Sequence, residues 1–157
     1  MDASRNETDA ERFDRNWSEL VQELRVAQTG VQVLAGFLLT IPFTQRFGDI
    51  GDAHTTIYLV AFSLAMITIG LMSAPVALHR FLFGRHEKDT LVHISDLFAE
   101  SGMTAMGLTL VAVVVLIFGV VVDDTAGILA GIVVFVFYAL AWAVLPLSLL
   151  RKSTEES

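Results

Sequence analysis

Two rows of polar side chains interrupt an otherwise apolar chain. Ser18, Gln22, Arg25, Thr29, Gln32, Gly36 and Thr40 step by three or four residues, which on a helix turning 100° per residue gathers them within an arc of about 80°. Asp89, His93, Asp96, Glu100, Thr104 and Gly107 do the same further along. Such rows can hold two helices in register through hydrogen bonds and an ion pair, with glycine letting the backbones approach. The expectation is that Arg25 meets Asp96 or Glu100, and that Gln22, Arg25, Gln28, Thr29, Gln32, His93, Asp96 and Glu100 form one polar cluster. The competing reading is that these residues extend beyond the bilayer and face water and headgroups.

Other chemistry has less behind it. A carrier of protons or cations needs an ionisable group near the membrane midplane, yet the chain is apolar or aromatic around Gly36, Ile67, Val113 and Tyr138. His79, His86 and His93 recur every seven residues, a spacing unlike the i, i+4 ligand pairs of a helical metal site. No metal or cofactor is expected. Asn16-Trp17-Ser18 fits a glycosylation sequon but falls on the side assigned below to the cytoplasm. There is no glycine-rich phosphate loop, and no serine or threonine with a base at recognisable spacing, so no enzyme is expected.

The elements that must position these residues are membrane helices. The chain has 157 residues, 54% hydrophobic and 17% charged, with no cysteine. It is too apolar for an ordinary soluble domain, and disulfides and thiolate metal sites are excluded. Seven acids against three arginines in the first 23 residues dominate the net charge of −7, so nucleic acid is not an expected partner. Residues 1–15 read as a disordered acidic tail, 16–151 as the membrane domain and 152–157 as a second short tail. Spans are expected at 26–45, 57–78, 103–122 and 126–150, each near the roughly 20 residues that cross the hydrocarbon. Adjacent carboxylates at Asp123-Asp124 demand a water-facing turn. Backbone groups in lipid must pair internally, and no alternating strand pattern is present. The fold class is all-α: a four-helix bundle made of two tandem hairpins. Nine basic residues against Arg46 alone place both termini and the central loop in the cytoplasm.

A shift of 71 residues lays Pro75-x-x-Leu-x-Arg80 on Pro146-x-x-Leu-x-Arg151 and brings the two polar rows into coincidence, Gln22 on His93, Arg25 on Asp96, Thr29 on Glu100 and Gly36 on Gly107. Either the hairpin is duplicated, its copies related by an axis along the membrane normal, or proline and arginine simply suit helix ends at an interface.

The stretches Glu23-Leu-Arg-Val-Ala-Gln-Thr-Gly-Val-Gln32, Phe37-Leu-Leu-Thr-Ile-Pro-Phe43, Ala74-Pro-Val-Ala-Leu-His-Arg80 and Leu145-Pro-Leu147 resemble DUF6328, a family of small uncharacterised bacterial membrane proteins found mainly in actinobacteria. The resemblance covers all but the tails. Members sometimes carry a sodium/proton antiporter label, which the resemblance implies without any catalytic residue to transfer. The residues themselves favour a structural or accessory component of a membrane complex, partnered by lipid and by its own copies or another membrane protein, and the resemblance implies the bacterial inner membrane. The alternative is a small oligomeric proton or cation transporter of the sodium:proton antiporter kind.

Overall fold

The computed structural model describes residues 9–82 and 88–144. Four long helices account for nearly all of them: α1 (Asp9–Thr40), α2 (Gly51–Leu82), α3 (Lys88–Val121) and α4 (Asp124–Ala139), the last continued by a π-helical turn over Leu140–Val144. Four helical stretches are long and apolar enough to cross a membrane: Val21–Phe43, which takes in the turn after α1, Gly51–Leu78, Ile94–Val121, and Asp124–Trp142, which takes in the start of the π-helical turn. The chain is an all-α, multi-pass membrane protein. Large apolar side chains cover its outside, among them Val26, Phe37, Val121 and Val133, each more than 65% exposed, as a surface facing lipid requires.

Local chemistry explains where the helices begin and end. Helix α1 starts at Asp9 rather than Asn16, so residues 9–15, read above as tail, are helical. That run includes Ala10, Glu11, Arg12 and Arg15, residues of high helix propensity, and Arg15 pairs with Glu19 at 3.9 Å one turn on. Residues 1–8, 83–87 and 145–157 lie outside the described residues. Helix α1 stops where Pro42 can no longer donate to the carbonyl four residues before it. Two short 3₁₀ turns, Ile41–Phe43 and Gln45–Asp49, follow. Gly51 then enters α2 with φ of 77°, a left-handed conformation that glycine adopts without steric cost. At the other hairpin the Asp123 carboxylate caps α4 by accepting from the Ala126 amide at 2.8 Å. Asp123 and Asp124 are both exposed there.

The helices pack in chain order. The α2–α3 contact between the two hairpins is the most extensive, α1 lies on α2, α4 lies on α3, and α1 barely touches α3. One core layer joins Val31, Ala35 and Leu38 of α1 to Tyr58, Ala61 and Ala65 of α2 and to Val113 and Leu116 of α3. The alanines of α2 let its neighbours approach, since small residues govern helix packing where lipid removes the usual hydrophobic drive. A second layer, toward the start of α1, holds Leu24, Met72 and Ala99. Under the 71-residue shift the buried positions Leu24, Val31 and Leu38 of α1 fall on Ser95, Gly102 and Thr109 of α3, which are buried too. The two polar rows therefore look the same way relative to their own packed faces.

Inside the bundle, Thr68 and Thr109 each donate to the carbonyl four residues earlier, Leu64 and Ala105, at 2.8 Å. Their hydroxyls stand 3.5 Å apart, at the limit of a hydrogen bond. Ser95 is wholly buried and its hydroxyl has no partner among the described residues. A buried donor without an acceptor costs free energy that its removal recovers. Ser95→Ala is therefore expected to leave unfolding in detergent unchanged or to raise stability by up to about 1 kcal/mol; a clear loss would mean that the hydroxyl bonds a group after all.

Candidate functional site

The polar row of α1 faces away from the bundle. Gln22, Arg25, Thr29, Gln32, Gly36 and Thr40 are all exposed, and a Cβ added to Gly36 would meet nothing within 4 Å. Asp96, Glu100 and Thr104 of α3 are exposed as well, whereas Gly107 is buried with its would-be Cβ 3.2 Å from the Trp142 ring. Among the described residues Arg25 has no ion pair with Asp96 or Glu100. The expected meeting of the two rows across the chain's own α1–α3 interface is thus corrected. The reason is angular: Leu24, Val31, Ala35 and Leu38 turn toward the core, and at 100° per residue this leaves the polar row well over 90° away from it. The His93 side chain lies outside the described residues, with those of His79 and His86.

Gln28, expected in the polar cluster though outside the row spanning about 80°, faces a neighbouring helix. Its amide nitrogen donates to the Ser73 hydroxyl at 2.7 Å, tying α1 to α2. Ser73 in turn donates to the Ile69 carbonyl at 2.6 Å. A cleft of about 610 Å³ opens here, lined by Gln28, Ser73, Val76, Ala77 and Arg80.

On the opposite side of α1, a crevice of about 570 Å³ lies over α3 between α1 and the π-helical turn. Its walls are mostly apolar, from Leu24, Ala27, Ala99, Met103 and Trp142, but Glu23, Glu100 and Thr104 also line it. Thr104 satisfies itself by donating to the Glu100 carbonyl at 3.0 Å. Among the described residues neither Glu23 nor Glu100 has a cationic partner. A smaller hollow of about 210 Å³ continues deeper along α3, sharing Thr104 and Trp142 and adding Gly107 and Tyr138. The Tyr138 and Trp142 ring centroids lie 4.6 Å apart with their planes tilted by 50°; a π-helical turn displaces side chains from the usual α-helical positions and is common at functional sites. The crevice is apolar with two anionic handles, suited to a cationic group carried on an apolar body.

At the far end, the His54 Nε2 lies 3.2 Å from the Asp124 carboxylate, joining the two hairpins, while Nδ1 lies 3.0 Å from the Ile50 carbonyl. Sequence reasoning missed this link, the Gln28–Ser73 bond and the crevice. The first had a signal in the pairing of one histidine with an acidic turn; the crevice depends on the π-helical turn, which no local pattern announces.

No curated protein and no solved structure matches the chain. Residues 6–146, however, match the family model of DUF6328, described as a family of unknown function, and the four-span fold with its outward polar row is thus that of a member: the chain belongs to the DUF6328 family.

Proposed function

We propose that this protein is a structural or accessory component of a membrane complex, multi-pass in the bacterial inner membrane with both termini cytoplasmic. One observation carries the reading. Gln32 is the middle residue of the Val21–Phe43 span, it points outward, and among the described residues its carboxamide has no partner. Leaving an amide unpaired in hydrocarbon costs several kcal/mol by order of magnitude, which another protein surface would remove by hydrogen bonding. Arg25, two turns away on the same face, adds to that cost. The native mass in mild detergent or a lipid nanodisc tests this. A mass well above 17.2 kDa of protein is expected, as a multiple of the chain or with a second protein; a monomer at every concentration overturns the reading.

Orientation rests on the excess of basic residues on one side, which retains loops in the cytoplasm. The chain lacks cysteine, so Thr125→Cys introduces a single thiol. It should react with a membrane-impermeant maleimide in intact spheroplasts, while Ser4→Cys reacts only after lysis. The reverse pattern would invert the topology.

The crevice, whose two carboxylates have no cationic partner among the described residues, favours a second reading, a small oligomeric proton or cation transporter. Liposomes holding the purified protein would then carry protons or sodium faster than empty ones, and flux equal to empty vesicles removes this reading.

A further inference from the structure

We propose that the partner is a second copy of this chain, and that the outward row of α1 in one copy seats in the crevice between α1 and α4 of the next. The inference rests on the assembly reading above and names its occupant.

Depth in the membrane comes first. Leu24, Met72 and Ala99 share one packed layer, with Ala27 and Met103 against it. Arg25 and Glu100 each follow a member of that layer in sequence, so they lie at one level in the bilayer. Copies of a chain inserted in the same orientation share those levels. Arg25 of one copy therefore arrives at the height of Glu23 and Glu100 in its neighbour's crevice, a cation that this acidic pair lacks among the described residues.

The same register continues inward. Helices α1 and α3 run in the same direction, so Gln32, seven residues beyond Arg25, reaches the level of Gly107, seven beyond Glu100, about 10 Å deeper at 1.5 Å per residue. There the neighbour offers the Trp142 indole and the Tyr138 hydroxyl beside the hollow, neither with a hydrogen-bond partner among the described residues. Each supplies a donor for the Gln32 carboxamide. Gly36, open on its outer side, lets the two backbones approach.

Geometry also sets the symmetry. Glu23 and Ala27 line the crevice, and Arg25 and Thr29 sit two residues beyond each, about 200° around the helix. The donated row and the receiving crevice are thus on opposite sides of α1, and a head-to-tail contact follows rather than a two-fold one. Such a contact closes into a ring about an axis along the membrane normal or runs on as an open row.

Disulfide trapping between two differently tagged chains decides this. Thr29→Cys in one and Thr104→Cys in the other should give a mixed dimer under oxidation, while Thr29→Cys alone and Gln32→Cys alone should give little homodimer. Arg25→Glu and Glu100→Arg should each weaken self-association at least tenfold with unchanged helical content, and the double variant should recover most of it. Efficient Gln32→Cys homodimers would overturn the head-to-tail contact in favour of a two-fold one. An intact homo-oligomer with neither cross-link nor charge dependence would overturn this interface while sparing the assembly reading. A complex with only a different protein would overturn the second copy as occupant.

Discussion

Replacing Gly127 by leucine should abolish the close approach of α3 and α4 and cost at least about 3 kcal/mol, beyond the usual penalty for overpacking. A Cβ at this position would stand 2.8 Å from the Val115 carbonyl oxygen, 2.9 Å from the Gly119 nitrogen and 3.0 Å from the Gly119 Cα. These are backbone atoms, which no rotamer change can move aside. Gly131, one turn on, already packs so tightly on Val115 that an added Cβ would overlap its methyl group. Gly127→Ala should therefore cost about 1–3 kcal/mol, and Gly127→Leu should separate the hairpin outright. A control sits on α1, where Gly30 has nothing within 4 Å of a would-be Cβ. Gly30→Ala should be neutral or gain up to about 1 kcal/mol from helix propensity. Unfolding in mixed micelles of rising denaturing-detergent fraction reads all three. A Gly127→Leu chain as stable as the parent would show that α3 and α4 do not meet at this glycine.

That contact shows how unevenly the sequence discloses the structure. Gly127-Ile-Leu-Ala-Gly131 is a small-xxx-small pattern inside a span, the signature of close helix packing, and it was readable without coordinates. The four spans were readable for a stronger reason: a bilayer admits few backbone solutions, so hydropathy and length almost dictate them. The site was less legible. The polar rows on α1 and α3 follow from periodicity alone, but periodicity is blind to which neighbour a face meets. Their coincidence under the 71-residue shift suggested that they face each other. Leu24, Val31 and Leu38 of α1 instead take the inward position, which sends Arg25 and Gln32 outward. What decides between the two arrangements is the packing of α2 and α3 at the centre, with Ala61 and Ala65 wholly buried, a tertiary preference spread over many weak contacts. Helix α1 is left at the side, fixed there by the apolar layer of Leu24, Val31, Ala35 and Leu38 and by a few specific bonds.

One of those bonds makes the second large prediction. Leu38 would pass its carbonyl to the amide four residues on, but that residue is Pro42, which has none. The Tyr58 hydroxyl, reaching across from α2, donates to this orphaned oxygen at 3.1 Å. Tyr58 is itself buried at 4% exposure, with Phe47 edge-on at 5.1 Å and Phe62 stacked at 6.3 Å. The two functions of the side chain separate by substitution. Tyr58→Phe keeps the rings packed and removes only the donor, leaving a buried carbonyl unpaired, and should cost about 1–2 kcal/mol. Tyr58→Ala loses the donor and opens a cavity, and should cost about 3–4 kcal/mol, since lipid is no worse a medium for the ring but cannot restore its packing contacts. The loss should appear locally as well. With Tyr58 gone, the end of α1 near Thr40 keeps only the apolar packing of residues such as Ala35, Leu38 and Ile41, so hydrogen exchange of the 41–50 turn should accelerate while α3 and α4 keep their protection. Equal costs for the phenylalanine and alanine variants would show that the ring contributes nothing beyond its hydroxyl, and an unchanged turn in both would show that Pro42 leaves no carbonyl in need of a donor.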